Sequence, residues 1–200
     1  MEYVVYGKRF GGEHLNIREF ITPYTPSVQE ALSEVPPGPN IIWQIWDWVC
    51  ANVKYPPSCD GMQDYHEKIS FLSGCPIIKR PVKHSVRTLD FWELPWEVLD
   101  PPRYGDCEGS SVVLVSMLRN FLDPQSIYCA IGTYEGKGHA WTMFSDGTEE
   151  YILDSTIPRA RLVNEDSEKE AESYKCYLKF NDQIVIEERD GWQEFLNSPR

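Results

Sequence analysis

The 200-residue sequence has no run of apolar residues approaching the roughly 18 that a helical membrane span requires, so no bilayer-crossing helix is expected. Its first residues, MEYVVYGKRFGGEH, lack the charged start, the apolar run and the small-residue cleavage site of a secretory signal, and the expected location is the cytoplasm. Positive charge is scarce. Lys and Arg number 19 against 31 Asp and Glu, a net charge of −12, and a field of that sign repels phosphate backbones and anionic lipid. Nucleic acid and membrane surfaces are therefore not expected partners, whereas a cationic group such as a lysine side chain suits the field. No CxxC pair occurs among the six cysteines at 50, 59, 75, 107, 129 and 176, which argues against a zinc ribbon, and their uneven spacing argues against a disulfide framework. Cys59, Cys75, His66 and His84 form the one cysteine and histidine grouping to weigh as a metal site, against the simpler reading of free buried thiols. No internal repeat is visible.

What is present is enough apolar content, 42% with 13% aromatic, for one core. One domain over 1–200 is expected: an arm and short helix over 1–40, a core over 43–157 with an irregular insert at 56–104, and C-terminal strands with a short helix over 174–200. Tyr3 to Tyr6 is β-prone. Ser27 and Glu30 stand in capping-box spacing ahead of Val28, Ala31, Leu32 and Val35, which predicts a short helix that Pro36-Pro37 stops. Ile42, Trp46, Val49, Cys50 and Val53 repeat with helical period and end before Pro56-Pro57. Cys107 to Leu122 reads as a helix with Asp106 as N-cap and Arg119 near its C-terminal end. Residues 112–118 are apolar nearly all round, so this helix should be central, although its valines leave a strand open. Strands are expected at 127–134, 139–145, 148–154, 174–180 and 183–188, and a last short helix after Asp190 burying Trp192, Phe195 and Leu196. The acidic stretch 164–172 reads as a solvated excursion.

Asp146-Gly147 between two β-prone runs predicts a two-residue type I′ hairpin, in which Ser145 opposes Thr148, Trp141 opposes Ile152 and His139 opposes Asp154. Directly opposite side chains share a face, so a carboxylate would stand beside an imidazole. Such a pair can hold one ring nitrogen while the other serves a nucleophile as base. Cys107, in the first turn of the buried helix, is apt for that role because unpaired N–H groups and the helix dipole favour a thiolate. Its own backbone N–H suits an oxyanion hole. Each residue has a plainer reading: Cys107 as a small buried hydrophobe, His139 as a hydrogen-bonded strand residue, Asp154 as a cap on the following loop.

Gly105-Asp106-Cys107-Glu108, Gly138-His139-Ala140-Trp141 and Tyr151-Ile152-Leu153-Asp154-Ser155-Thr156 together resemble the transglutaminase-like cysteine enzyme superfamily, a likeness extending over roughly 43–157. It includes Ser116-Met117-Leu118-Arg119 at the helix end and Ile131-Gly132 in the next strand. Gly109-Ser110-Ser111 departs from the alanine common in the family, and 56–104 has no counterpart. The resemblance implies an α+β fold with a transglutaminase-like or papain-like core, the cysteine-bearing helix packed on an antiparallel sheet. It implies a Cys107-His139-Asp154 triad and acyl transfer at an amide bond. Hydrolysis of a peptide or isopeptide bond is the favoured outcome, the 200-residue chain lacking the extra domains of the large crosslinking enzymes. Glutamine transamidation with an amine acceptor, or a non-catalytic binding module on the same fold, is the alternative. No cofactor or metal ligand set is assigned. Gly-Asp-Cys-Glu resembles the start found in bacterial transglutaminase-like proteases, some of which bind calcium through neighbouring acidic residues, and this makes Asp106 and Glu108 calcium candidates; helix capping explains them equally well. Trp92, Trp96 and Tyr104, preceding the nucleophile, are candidates to shape the substrate site, although aromatics in loops also simply pack.

Overall fold

The structure, a computed structural model, describes residues 5–8, 14–55, 92–157, 159–162 and 173–188. The Cys59, Cys75, His66 and His84 grouping, most of the 56–104 insert, the acidic stretch 164–172 and the helix expected after Asp190 lie outside the described residues.

A short antiparallel hairpin of β1 (Tyr6–Lys8) and β2 (His14–Asn16) leads into a 3-10 turn over Ile17–Phe20. Helix α1 spans Pro26–Glu34. Its N-cap is Thr25, with Pro26 in the first turn, so the capping box expected at Ser27 and Glu30 is not formed: a proline's missing N–H costs nothing there, and the helix starts two residues earlier. Helix α2 spans Ile41–Asn52 and buries Ile45, Trp48 and Val49, with Ile42 and Trp46 packed at the margin. A five-residue helix, α3 (Pro95–Leu99), occupies part of the segment expected to be irregular; it too is opened by a proline, and Glu97 turns back to accept the N–H of Leu94 at 2.7 Å.

Helix α4 spans Cys107–Leu118, and all of its residues are buried, which excludes the strand reading. Asp106 caps it through a 3.0 Å bond from the Gly109 N–H. The helix ends earlier than expected, at Leu118 with Arg119 as its C-cap, and the Arg119 guanidinium pairs with Asp182 at 2.6 Å and donates to the carbonyl of Leu122, tying the helix end to the segment around Asp182. Small residues let the neighbours close in. A Cβ on Gly109 would lie 2.8 Å from Glu93 Oε2 and 3.2 Å from Val98, and the buried Ser116 hydroxyl accepts the Thr22 N–H at 3.0 Å.

The remaining strands are β3 (Ile127–Tyr134), β4 (Lys137–Ser145), β5 (Glu150–Asp154), β6 (Arg159–Leu162), β7 (Tyr174–Phe180) and β8 (Val185–Glu187). They form one antiparallel sheet in the order β6-β5-β4-β3-β7-β8. β6 has no counterpart among the expected strands. One face of the sheet, carrying Ile127, Cys129, Ile131, Phe144, Leu153, Leu178 and Phe180, shares a core with α4 and the other helices. The opposite face carries a second apolar cluster of Ala130, Trp141, Ile152 and Tyr174. The architecture is thus α+β, with the cysteine-bearing helix on an antiparallel sheet.

Two register features decide what each face presents. The β4–β5 turn has four residues, 146–149, closed by the Asp146 N–H donating to the Glu149 carbonyl at 3.2 Å. Asp146 Oδ1 also takes the N–H groups of Thr148 and Glu149, both at 2.8 Å, which stabilises the wider loop over the two-residue turn expected from Asp-Gly. The pairing therefore runs Met143 to Ile152 and Ser145 to Glu150, two residues from the expected register. The second feature is a bulge: Ile131 pairs with Leu178 but Gly132 pairs with Cys176, so Tyr177 is the extra residue on β7. At this point β3 and β7 approach so closely that a Cβ on Gly132 would stand 1.9 Å from the Lys175 carbonyl oxygen and 2.9 Å from Trp141. Gly132→Ala is accordingly expected to lower the unfolding free energy by about 3 kcal/mol or more, as a backbone shift in a packed sheet; a urea midpoint equal to wild type would refute the close approach.

Candidate active site

His139 and Asp154 meet across β4 and β5. Because the loop is longer by two residues, they are diagonal and not directly opposite, but a shift of two preserves the face on which each side chain stands. The imidazole Nε2 lies 2.7 Å from Asp154 Oδ2. Asp154 is 0% exposed, and its carboxylate takes four further hydrogen bonds: from the Tyr174 hydroxyl on Oδ2 at 2.9 Å, and from the Thr156 N–H, the Thr156 hydroxyl and the Ile157 N–H on Oδ1 at 2.9, 2.8 and 3.0 Å. It caps the following loop with one oxygen and holds the imidazole with the other. Burial alone would raise its pKa, but the hydrogen bond and charge of His139, followed by the bonds from Thr156 and Ile157, outweigh burial and hold the group below the ordinary carboxylate value. An ionised carboxylate can only accept, so Nε2 carries a proton, and Nδ1 is the nitrogen left with a free lone pair in the neutral ring.

The imidazole is partly buried among aromatic rings: Trp141 stacks at 6.1 Å, with Tyr134 at 5.8 Å and Tyr174 at 6.3 Å. The helix that carries Cys107 packs against β4, whose ladder with β5 begins at Thr142 and Leu153, and the Ala140 backbone N–H favours the Cys107 thiolate. Cys107 as a residue is 8% exposed. Its hydrogen bond goes to Glu108 Oε2 at 2.9 Å.

This differs from the thiolate-favouring setting expected at a helix start. Burial first, then the charges of Glu108 and Asp106 and the thiol's bond to Glu108, push Cys107 well above an ordinary thiol; the Ala140 N–H opposes them. Two adjacent carboxyls outweigh the partial positive charge of a helix terminus. Asp106 is itself pushed well above the carboxylate range, by burial and then by the charge of Glu108, to which it is also hydrogen bonded. Among the described residues no group of three or more His, Cys, Asp or Glu side chains is placed to hold a metal ion.

The other candidates fall in three places. Trp92 is in the core, with Phe20 at 5.5 Å and Phe180 at 5.8 Å. Trp96 borders a cavity of about 200 Å³ with Glu30, Asp100 and Arg103. Tyr104 forms a parallel bridge with Lys54 just ahead of Cys107. That bridge brings up Tyr55, which has no place in the sequence reading: partial desolvation and then the charges of Cys107, Asp106 and Glu108 push its hydroxyl upward, although 61% of the residue is exposed. Tyr174 was equally hidden; nothing in its sequence context marks it as a partner of Asp154.

No protein-family model and no curated protein matches the chain. Among solved structures it is similar to Legionella pneumophila LapG in three forms. The EGTA-treated form is 14% identical, covering 82% of this chain and 87% of that one with a TM-score of 0.44. A second structure of LapG is 15% identical, covering 86% and 97% with a TM-score of 0.44. The calcium-bound form is 14% identical, covering 85% and 96% with a TM-score of 0.43. Similarity at that level assigns nothing to the side chains of this chain.

Two outcomes follow from the charges. Glu108→Gln removes the principal charge acting on the thiol and is expected to speed iodoacetamide alkylation of Cys107 at neutral pH by roughly tenfold for each pKa unit recovered; an unchanged rate measured by peptide mass spectrometry would show that Glu108 does not hold the thiol down. For Asp154 the folded pKa lies below the unfolded value of about 3.9, so its stabilising contribution is fully present above that value and disappears as pH falls through the folded one. The stability gap between wild type and Asp154→Asn should therefore narrow on acidification, read as urea midpoints at neutral and acid pH.

Proposed function

We propose that the chain is a cysteine-dependent acyl-transfer enzyme with Cys107 as nucleophile, His139 as general base and acid, and Asp154 as the group that orients His139. The supporting observation is the 2.7 Å His139–Asp154 bond, which leaves Nδ1 as the working nitrogen, beside Ala140, whose backbone N–H favours the Cys107 thiolate. The thiol turns from Glu108 to Nδ1 and gives up its proton there as the sulfur attacks an amide carbonyl. The first-turn N–H of Cys107, which closes no helical hydrogen bond, stabilises the resulting oxyanion. As the C–N bond breaks, the imidazolium returns the proton to the departing amine and a thioester remains. Water, activated by the same nitrogen, then releases the acid and restores the thiol. Hydrolysis is favoured over transamidation because Cys107 is buried, only 8% of the residue being exposed, and a small acceptor reaches the thioester more readily than an amine on a protein surface. The substrate class is a peptide or isopeptide bond, and Tyr55, whose hydroxyl feels the charges of Cys107, Asp106 and Glu108, is the aromatic side chain proposed to meet it.

The Glu108 bond is the observation on the side of a non-catalytic cleft, because it holds the thiol protonated. It also gives calcium a role. Asp106 and Glu108 carry hard oxygen donors of the kind calcium takes and would be the residues to hold the ion, whose charge would cancel the field that raises the thiol. The readout is alkylation. Cys107 labelling should accelerate when calcium is added to chelator-treated protein, and Asp106→Asn/Glu108→Gln protein should label at one rate with or without the ion.

Mass spectrometry of Cys107 after incubation with a panel of peptide and isopeptide amides tests the reaction itself. A thioester-mass adduct that is absent in His139→Ala is expected. A panel that leaves no adduct under conditions where Cys107 alkylates freely would favour the binding-module reading.

A further inference from the structure

The β7 bulge changes which side chains β7 offers to the site. After it in the chain, Leu178 and Phe180 lie on the helix-facing side of the sheet, in the main core. Strict alternation from those residues would send Cys176 and Tyr174 to the same side. The extra residue, Tyr177, reverses the parity, so Tyr174 pairs with Tyr134 and joins Trp141 and Ile152 on the opposite face. The inserted residue thus carries the Tyr174 hydroxyl to Asp154, and specifically to Oδ2, the oxygen that holds His139. The ring is fixed there at 5.1 Å from Trp141 and 4.5 Å from Tyr134.

We propose that Tyr174 is a positioning residue that tunes the His139–Asp154 pair by sharing Asp154 Oδ2 with the imidazole; this rests on the reading of that pair as catalytic. Two donors on one oxygen divide its negative charge, and each weakens the other's bond. Beside the imidazolium formed in the reaction the phenol is the neutral, weaker donor, so it loosens the imidazolium bond without displacing it. The consequence is kinetic. An imidazolium held too tightly by its carboxylate gives up its proton reluctantly, and the step that needs the proton is expulsion of the amine. The remaining oxygen, Oδ1, is occupied by Thr156 and Ile157, so the carboxylate cannot rotate to separate the two donors.

The test uses the downfield proton NMR resonance of the His139 Nε2–H in Cys107→Ala protein, where no catalysis takes place. Tyr174→Phe, which keeps the ring and removes the hydroxyl, should move that resonance further downfield. 3-Fluorotyrosine at position 174, a stronger donor, should move it upfield. A merely structural hydroxyl predicts the reverse for Tyr174→Phe: a looser pair, with the signal shifted upfield or lost to exchange. In protein with Cys107 intact, Tyr174→Phe should show a loss in kcat with KM unchanged. Unshifted NMR signals in both variants would overturn the proposal. The absence of any acyl adduct alongside the expected NMR shifts would overturn only the enzymatic reading and leave the tuning in place.

Discussion

The burial of one ionised carboxylate organises this site. Asp154 is withdrawn from water completely, and an unpaired ion in that position would cost several kcal/mol. It is tolerated because five donors converge on it, and hydrogen bonds to a charged group are each worth about 1.5–3 kcal/mol. Those donors come from β4, from the loop after β5 and from β7. The carboxylate therefore depends on the sheet being fully assembled, and the imidazole is held only when that has happened. Local folding and site formation are one event here, because nothing in residues 150–157 alone could satisfy Oδ2.

The helix start is built on the opposite electrostatic principle. Asp106 is needed as the N-cap of a helix whose every residue is buried. Glu108 follows in the first turn, where an acidic group complements the dipole. Both choices stabilise the helix, and both act against ionisation of the thiol between them. A thiol in this position stays protonated until something neutralises the pair. In the proposed reaction His139 and Asp154 would handle the proton, but the field at the sulfur is set by its sequence neighbours.

Much of this was legible in the sequence, and what was not has a consistent cause. The all-apolar face of residues 112–118 announces a central helix because only complete burial accommodates it, and Asp106 announces where it begins. The β4–β5 hairpin was readable as a hairpin, yet Asp-Gly alone overstated the case for a two-residue turn, since Asp146 found three partners in the wider loop: the Thr148 and Glu149 N–H groups and the Tyr151 hydroxyl. Thr25 displaced Ser27 as the cap of α1 because Pro26 suits a first turn. Strand β6 and helix α3 are short enough that packing, not period, decides them. Tyr174 was out of reach for a different reason. Alternation within Tyr174-Lys175-Cys176-Tyr177-Leu178-Lys179-Phe180 assigns it to the wrong face, and only a cross-strand pairing reveals the bulge.

The two register departures differ in parity, and this explains why one was harmless and the other constructive. A four-residue loop in place of two slides β5 by an even step, so Ile152 and Asp154 stay on the face of Trp141 and His139, and the pair survives as a diagonal contact. The single extra residue in β7 is an odd step, and it turns a side chain through the sheet. Even slips conserve a face and can accumulate in loops with little effect on what a site contains. Odd ones rewrite it, and they persist only where a neighbour accommodates them. In this chain the accommodating residue is Gly132, whose missing side chain lets the Lys175 carbonyl close in and leaves room for the Trp141 ring from the neighbouring strand.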